Sequence, residues 1–192
     1  MTLLILGLVI FLGVHSVRIF AEGWRTQMRG KLGDNGWKGV YTLLSIAGFA
    51  MLVYGFGQAR QAPVVLWPAM GWTRHLAALL ILLAFVLLTA AYVPGNGIKA
   101  KVHHPMILGV KVWALSHLLS NNTLADLLLF GGFLLWSVFD FRAARARDRA
   151  AGTVYPPGSL VPTLVTVAAG IVAYGAFAFW GHWALIGVKP FG

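Results

Sequence analysis

Apolar residues fall in long blocks separated by short polar stretches: Thr2 to Ala21, Gly39 to Gly57, Trp72 to Val93, Pro105 to Ser120, Thr123 to Phe141 and Val161 to Ile186. A helix crossing the hydrocarbon core of a bilayer needs about 20 predominantly apolar residues, and each block meets or approaches that length. The pattern predicts an all-α membrane protein, a polytopic bundle of about six transmembrane helices that forms a single domain over residues 1–192. The first block has no basic stretch before it and no Ala-x-Ala site after it, so it reads as a span and not as a cleaved signal. Between the second and third blocks, Val64 to Trp72 is too short to cross. Trp67 and Trp72 suit the headgroup level there, and Pro68 breaks any helix. Pro94-Gly95-Asn96-Gly97 is a turn signal. Gly7, Gly13, Gly48, Gly55, Gly109, Gly131, Gly132, Gly170 and Gly175 lie inside apolar blocks, where small residues let helices approach closely.

Composition supports this reading. Of the 192 residues, 59% are hydrophobic and only 10% charged, against about 45–50% and 25% in ordinary soluble domains. Mean hydropathy is +0.78. The chain has no cysteine, which excludes disulfides, thiolate catalysis, Cys-ligated zinc and iron–sulfur clusters within it.

The net charge of +10 could signal nucleic acid, but the placement of the cations argues otherwise. Arg18, Arg25, Arg29, Lys31, Lys38, Lys99, Lys101, Arg142, Arg145, Arg147 and Arg149 lie on or near alternate loops, eleven of the fifteen Lys and Arg residues. Arg60, Arg74 and Lys189 lie on the opposite side, and Lys111 lies within the fourth block. Short cytoplasmic loops carry the Lys/Arg excess, so both termini are expected on the outer, periplasmic side. No nucleic-acid partner is expected; the run from Arg142 to Arg149 marks the cytoplasmic end of a span. The lipid bilayer is the expected partner.

Ionisable residues inside spans are costly, so each calls for a partner or a function. Histidine stands out, because neutral imidazole ligates heme iron, copper or zinc and needs no charge partner in an apolar site. His15 shares a helical face with Phe11, Arg18 and Glu22. This suits a ligand to a metal macrocycle whose propionates reach Arg18. The plainer alternative is a His bonded to a nearby carbonyl, with Arg18 paired to Glu22. In the fourth block, Gly109, Trp113 and His117 form one stripe, and the gap at Gly109 beside Trp113 could admit a flat ring or a neighbouring helix. Lys111 stands near mid-span, either reaching a polar pocket or contacting an anion. His104 precedes Pro105 at the membrane edge. His75 and His182 lie toward the outer end, where they form a cluster with His117 or are simply solvated at the interface. The acidic residues include no close pair for acid–base work, and no hydrolase triad or Walker loop is present.

Two segments carry a resemblance: Phe11-Leu12-Gly13-Val14-His15-Ser16 before a basic loop, and His104-Pro105-x3-Gly109-x3-Trp113-x3-His117. Together they resemble the NnrU family of integral membrane proteins, first associated with denitrification gene clusters, which includes the heme b protein 15-cis-ζ-carotene isomerase. The resemblance implies a multi-pass protein of the bacterial inner membrane, heme b as cofactor, and an apolar substrate such as a cis-carotenoid. The alternative it implies is a non-enzymatic membrane component supporting denitrification and nitric oxide metabolism. By position, the isomerase's heme-iron ligands fall on His15 and His117; Arg18, His104, Lys111 and Trp113, singled out by their places along the spans, complete the candidate cofactor-binding residues. Its alternative cysteine ligand falls on Ala114, and a histidine of its next span falls on Trp136. A histidine-to-cysteine ligand switch is therefore impossible in this chain. At 1.5 Å per residue, His15 is expected roughly 20 Å below the outer surface and His117 only about 5 Å below it. Lys111, or His104 if its helix enters the bilayer early, matches the depth of His15 better. The His-Pro-x3-Gly element also resembles a motif of membrane isoprenylcysteine methyltransferases and sterol reductases, with His103 in place of its Arg and Ile107 in place of its Tyr.

Overall fold

The structure is a computed structural model that describes residues 1–191. Its helices are α1 (Thr2–Phe20), α2 (Glu22–Ala59), α3 (Thr73–Tyr92), α4 (Gly97–Val102), α5 (Pro105–Ser120), α6 (Leu124–Ala151), α7 (Leu160–Ala176) and α8 (His182–Ile186). A π-helical turn, Phe177–Gly181, joins α7 to α8, so the last apolar block is one continuous helical stretch. Among the described residues five stretches are long and apolar enough to cross a membrane: α1, α2, α3, α6, and Leu160–Ile186. The remaining block is α5, whose 16 residues rise about 24 Å, short of a core of about 30 Å. The expectation of six spans thus becomes five helices of crossing length and one shorter.

Two helices run well past their apolar blocks. The segment expected as a first basic loop is the beginning of α2, which bends at Gly33 (φ 69°). Arg29 spans the bend and donates to Asp34 Oδ1 from Nε at 3.0 Å and from Nη2 at 2.6 Å. Glu22 accepts from Arg25 at 2.8 Å. Likewise α6 does not end near Phe141; its basic run continues as helix to Ala151.

The chain divides into two compact units, one of Met1–Pro68 with Asn121–Ala143, the other of Ala69–Ser120 with the residues from Ala144 on. In the first unit α1 packs directly on α2. A Cβ at Gly7 would meet the Leu52 backbone nitrogen at 2.6 Å, and one at Gly48 would meet the Phe11 nitrogen at 2.8 Å. Leu4, Leu52, Ala59 and Ala125 form the buried core of this unit. The stretch expected at the headgroup level is pinned by backbone bonds, Leu66 N–H to the Asn122 carbonyl and Leu124 N–H to the Val64 carbonyl, both 2.8 Å. Asp126 is accounted for by helix capping: its Oδ2 accepts from Thr123 N at 3.1 Å and from Thr123 Oγ1 at 2.6 Å.

In the second unit α3 packs against α5 and α7. Gly109 of α5 faces Leu88 and the Ala84 carbonyl of α3, and a Cβ at Gly170 of α7 would meet Val86 Cα at 2.8 Å. Ser116 donates to the Ala77 carbonyl at 2.9 Å, which satisfies a buried hydroxyl across the α3–α5 contact. Asn96 closes α3 and opens α4: its Nδ2 donates to the Ala90 and Val93 carbonyls, and its Oδ1 accepts from Lys99 N at 2.8 Å.

Candidate functional site

His15 belongs to the first unit. Its Nδ1 lies 2.6 Å from the carbonyl oxygen of Phe11, one turn earlier on α1. A carbonyl can only accept, so Nδ1 carries the hydrogen and Nε2 keeps its lone pair. Among the described residues Nε2 of His15 makes no hydrogen bond. Aromatic rings surround the imidazole: Phe11 stacks on it with centroids 4.2 Å apart, Tyr41 of α2 lies at 5.3 Å, and Trp136 of α6 stands at 6.2 Å with planes at 88°. Phe49 and Phe133 extend this wall around Phe11. Within the same wall, the indole Nε1 of Trp136 is buried and has no hydrogen-bond partner among the described residues. A buried unsatisfied donor costs about 1–3 kcal/mol, so the pocket combines a ligating lone pair with a donor in need of an acceptor. Such a donor set fits a heme group. Arg18 follows one turn further along α1.

His117, His104, Lys111 and Trp113 belong to the second unit. His117 repeats the arrangement of His15, with Nδ1 2.9 Å from the Trp113 carbonyl and the two rings 5.1 Å apart. The space beside Gly109 admits no flat ring, because Leu88 and Ala84 of α3 occupy it. Ala114 is fully buried in this packing. Lys111 is half-buried midway along α5. Elsewhere in this unit, His75 is exposed and His182 donates from Nδ1 to the Val188 carbonyl at 2.7 Å. Among the described residues no three His, Cys, Asp or Glu side chains come together as a metal-ligand set.

His104 has a different partner from the one sequence reasoning offered it. Its Nε2 lies 2.7 Å from Asp148 Oδ2, on the polar extension of α6. Tyr155 donates to the same oxygen at 3.0 Å, and Arg145 approaches it at 3.9 Å. Arg145 also donates to His103 Nδ1, and His103 stacks flat on Tyr155 with centroids 4.0 Å apart and planes at 3°. His103 takes a left-handed backbone, φ 66°, just before His104 and Pro105, which turns both imidazoles toward α6. The end of α6 completes the cluster. Gly152 (φ 60°) reverses the chain, Thr153 N–H bonds the Asp148 carbonyl at 2.9 Å, and Gly152 N–H bonds the Arg149 carbonyl at 3.3 Å. This turn brings Tyr155 back onto Asp148. Burial pushes the Tyr155 phenol above its usual value, and its bond to Asp148 adds to the shift.

This cluster was missed because its partners stand 42 to 44 residues apart and share no helical periodicity. The adjacent imidazoles of His103-His104 and the lone Asp148 within an arginine run were the available signals.

The sequence model of the family described as NnrU protein matches residues 3–190. No curated protein and no solved structure matches the chain.

Proposed function

Because the chain belongs to the NnrU family, we propose that it is a multi-pass protein of the bacterial inner membrane that binds heme b through histidine and acts on an apolar substrate within the bilayer. The observation that carries this reading is the state of His15: Nδ1 is satisfied by its own helix, Nε2 keeps its lone pair, and aromatic rings wall the imidazole. Bound heme would supply an iron able to polarise or exchange an electron with an apolar polyene. The Phe11 carbonyl fixes the His15 tautomer and orientation. The rings of Phe11, Tyr41 and Trp136 supply an apolar wall, and the Trp136 indole offers a hydrogen to an acceptor atom. His117 is the second histidine ligand candidate, with its tautomer set in the same way by Trp113. In this reading α5 is the sixth span, and the Lys/Arg asymmetry is the support for both termini lying outside.

A second reading is favoured by the occupants of two positions, the buried Ala114 and the half-buried Trp136, neither of which can ligate iron. There the protein is a non-enzymatic membrane component that supports denitrification.

Protein produced with ample heme and purified in detergent is expected to show a Soret band that His15→Ala abolishes. A Soret band of wild-type intensity in both His15→Ala and His117→Ala, or none in fully supplied wild type, overturns the heme reading. Incubation with cis-carotenoid isomers then separates the two functions, since unchanged substrate with heme bound supports the second.

A further inference from the structure

The polar cluster of the second unit borders a cleft of about 170 Å³ that the heme reading does not use. Its lining is His103, Arg145, Asp148, Arg149, Thr153 and Tyr155, with Gly152. Asp148 is the single carboxylate among the lining residues, and its Oδ2 is already shared by His104, Tyr155 and Arg145. Arg149 forms no ion pair among the described residues. Arg145 and Arg149 stand one helical turn apart on the same face, so the wall carries two guanidinium groups against one engaged carboxylate. The Thr153 and Tyr155 hydroxyls add polar groups, and the Tyr155 hydroxyl already donates to Asp148. The turn at Gly152, also part of the lining, is held by its two backbone bonds.

We propose that this cleft binds a phosphate group, with Arg149 and Arg145 as its donors and Thr153 as a third. Guanidinium forks match phosphate oxygens in geometry and charge. The cleft is built on the basic extension of α6 past its apolar block, and past the end of a span anionic phospholipids present their headgroups; a soluble phosphate carries the same chemistry. Neither His15 nor heme takes part, so the proposal stands apart from the reading above.

The test uses the full-length protein in detergent. Native mass spectrometry with dioleoyl phosphatidic acid, against dioleoyl phosphatidylcholine as control, is expected to show one preferentially retained phosphatidic acid. Arg149→Gln should weaken that retention about tenfold, the loss of one charge-assisted contact, and Arg142→Gln, outside the cleft, should leave it unchanged. Arg149 is exposed, so its replacement is compatible with folding; circular dichroism checks this. Equilibrium dialysis with labelled inorganic phosphate distinguishes the source. Binding that Arg149→Gln weakens indicates a soluble phosphate, and retention of the lipid alone indicates a headgroup. Equal effects of Arg149→Gln and Arg142→Gln, or no preference for phosphatidic acid over phosphatidylcholine together with no inorganic-phosphate binding that Arg149→Gln weakens, overturn the proposal by reducing it to general surface charge.

Discussion

Two histidines, His15 in the first unit and His104 in the second, show how the same side chain is made available or consumed. His15 meets its hydrogen-bond need within its own helix, through the Phe11 carbonyl, and leaves Nε2 uncommitted among aromatic rings. His104 sits at a helix junction with a carboxylate in reach, and its Nε2 is taken by Asp148. The first pocket is held by packing, with glycines that let α1 and α2 touch. The second site is held by a polar hub in which several donors converge on one oxygen. Ligating capacity therefore follows from which nitrogen the local backbone satisfies, not from the number of histidines nearby.

If packing holds the first pocket, the largest effect comes from filling a helix contact. Gly48→Leu would drive its Cβ into the Phe11 backbone, at 2.8 Å, and should cost about 3 kcal/mol or abolish folding. Gly13→Leu on the same pair of helices meets nothing within 4 Å and should be close to neutral. Thermal unfolding in detergent compares the two, and equal melting temperatures would show that the α1–α2 contact does not hold the pocket.

The polar hub should yield smaller, coupled effects. Asp148→Ala leaves His104, Tyr155 and Arg145 without their shared acceptor, so its melting temperature should fall further than that of any single donor variant. His104→Ala should cost about 1–2 kcal/mol, the loss of one partly buried polar pair. Tyr155→Phe should cost about 1.5 kcal/mol, the low end for a hydrogen bond to a charged group, because both partners are partly exposed. Because both donors use Oδ2, the double variant His104→Ala/Tyr155→Phe should depart from the sum of the single ones. Strict additivity would mean that the hub is two independent contacts.

The contrast between the units also marks what the sequence could reveal. Hydropathy located the apolar helices well: α3 covers Thr73–Tyr92 where Trp72 to Val93 was expected, and the shorter α5 covers Pro105–Ser120 as expected. It misplaced the ends of α2 and α6, because apolarity reports contact with lipid and not where helical backbone stops. The polar extension of α2 is supported by ion pairs such as Arg29–Asp34, and that of α6 is closed by the glycine turn at Gly152. His15 was legible because its neighbours Phe11 and Arg18 recur at helical spacing. The hub was not, because a left-handed His103 and a returning Tyr155 bring together residues that no local period relates.

The smallest expected effect is also the most local probe of the hub. Burial, and then the bond to Asp148, raise the Tyr155 pKa above the ordinary 10.0, so the folded state binds its proton more tightly than the unfolded chain does. The contribution of the neutral phenol to stability is therefore complete below pH 10.0 and is lost as the pH rises through the raised folded value. A spectrophotometric titration of phenolate absorbance should show a late-ionising tyrosine that disappears in Tyr155→Phe. In His104→Ala, where Asp148 loses its other close donor, that tyrosine should still ionise late, because burial is the leading cause of the shift. If His104→Ala instead returned it to ordinary behaviour, the hub rather than burial would control the phenol, and the two histidines would differ more deeply than in which nitrogen each leaves open.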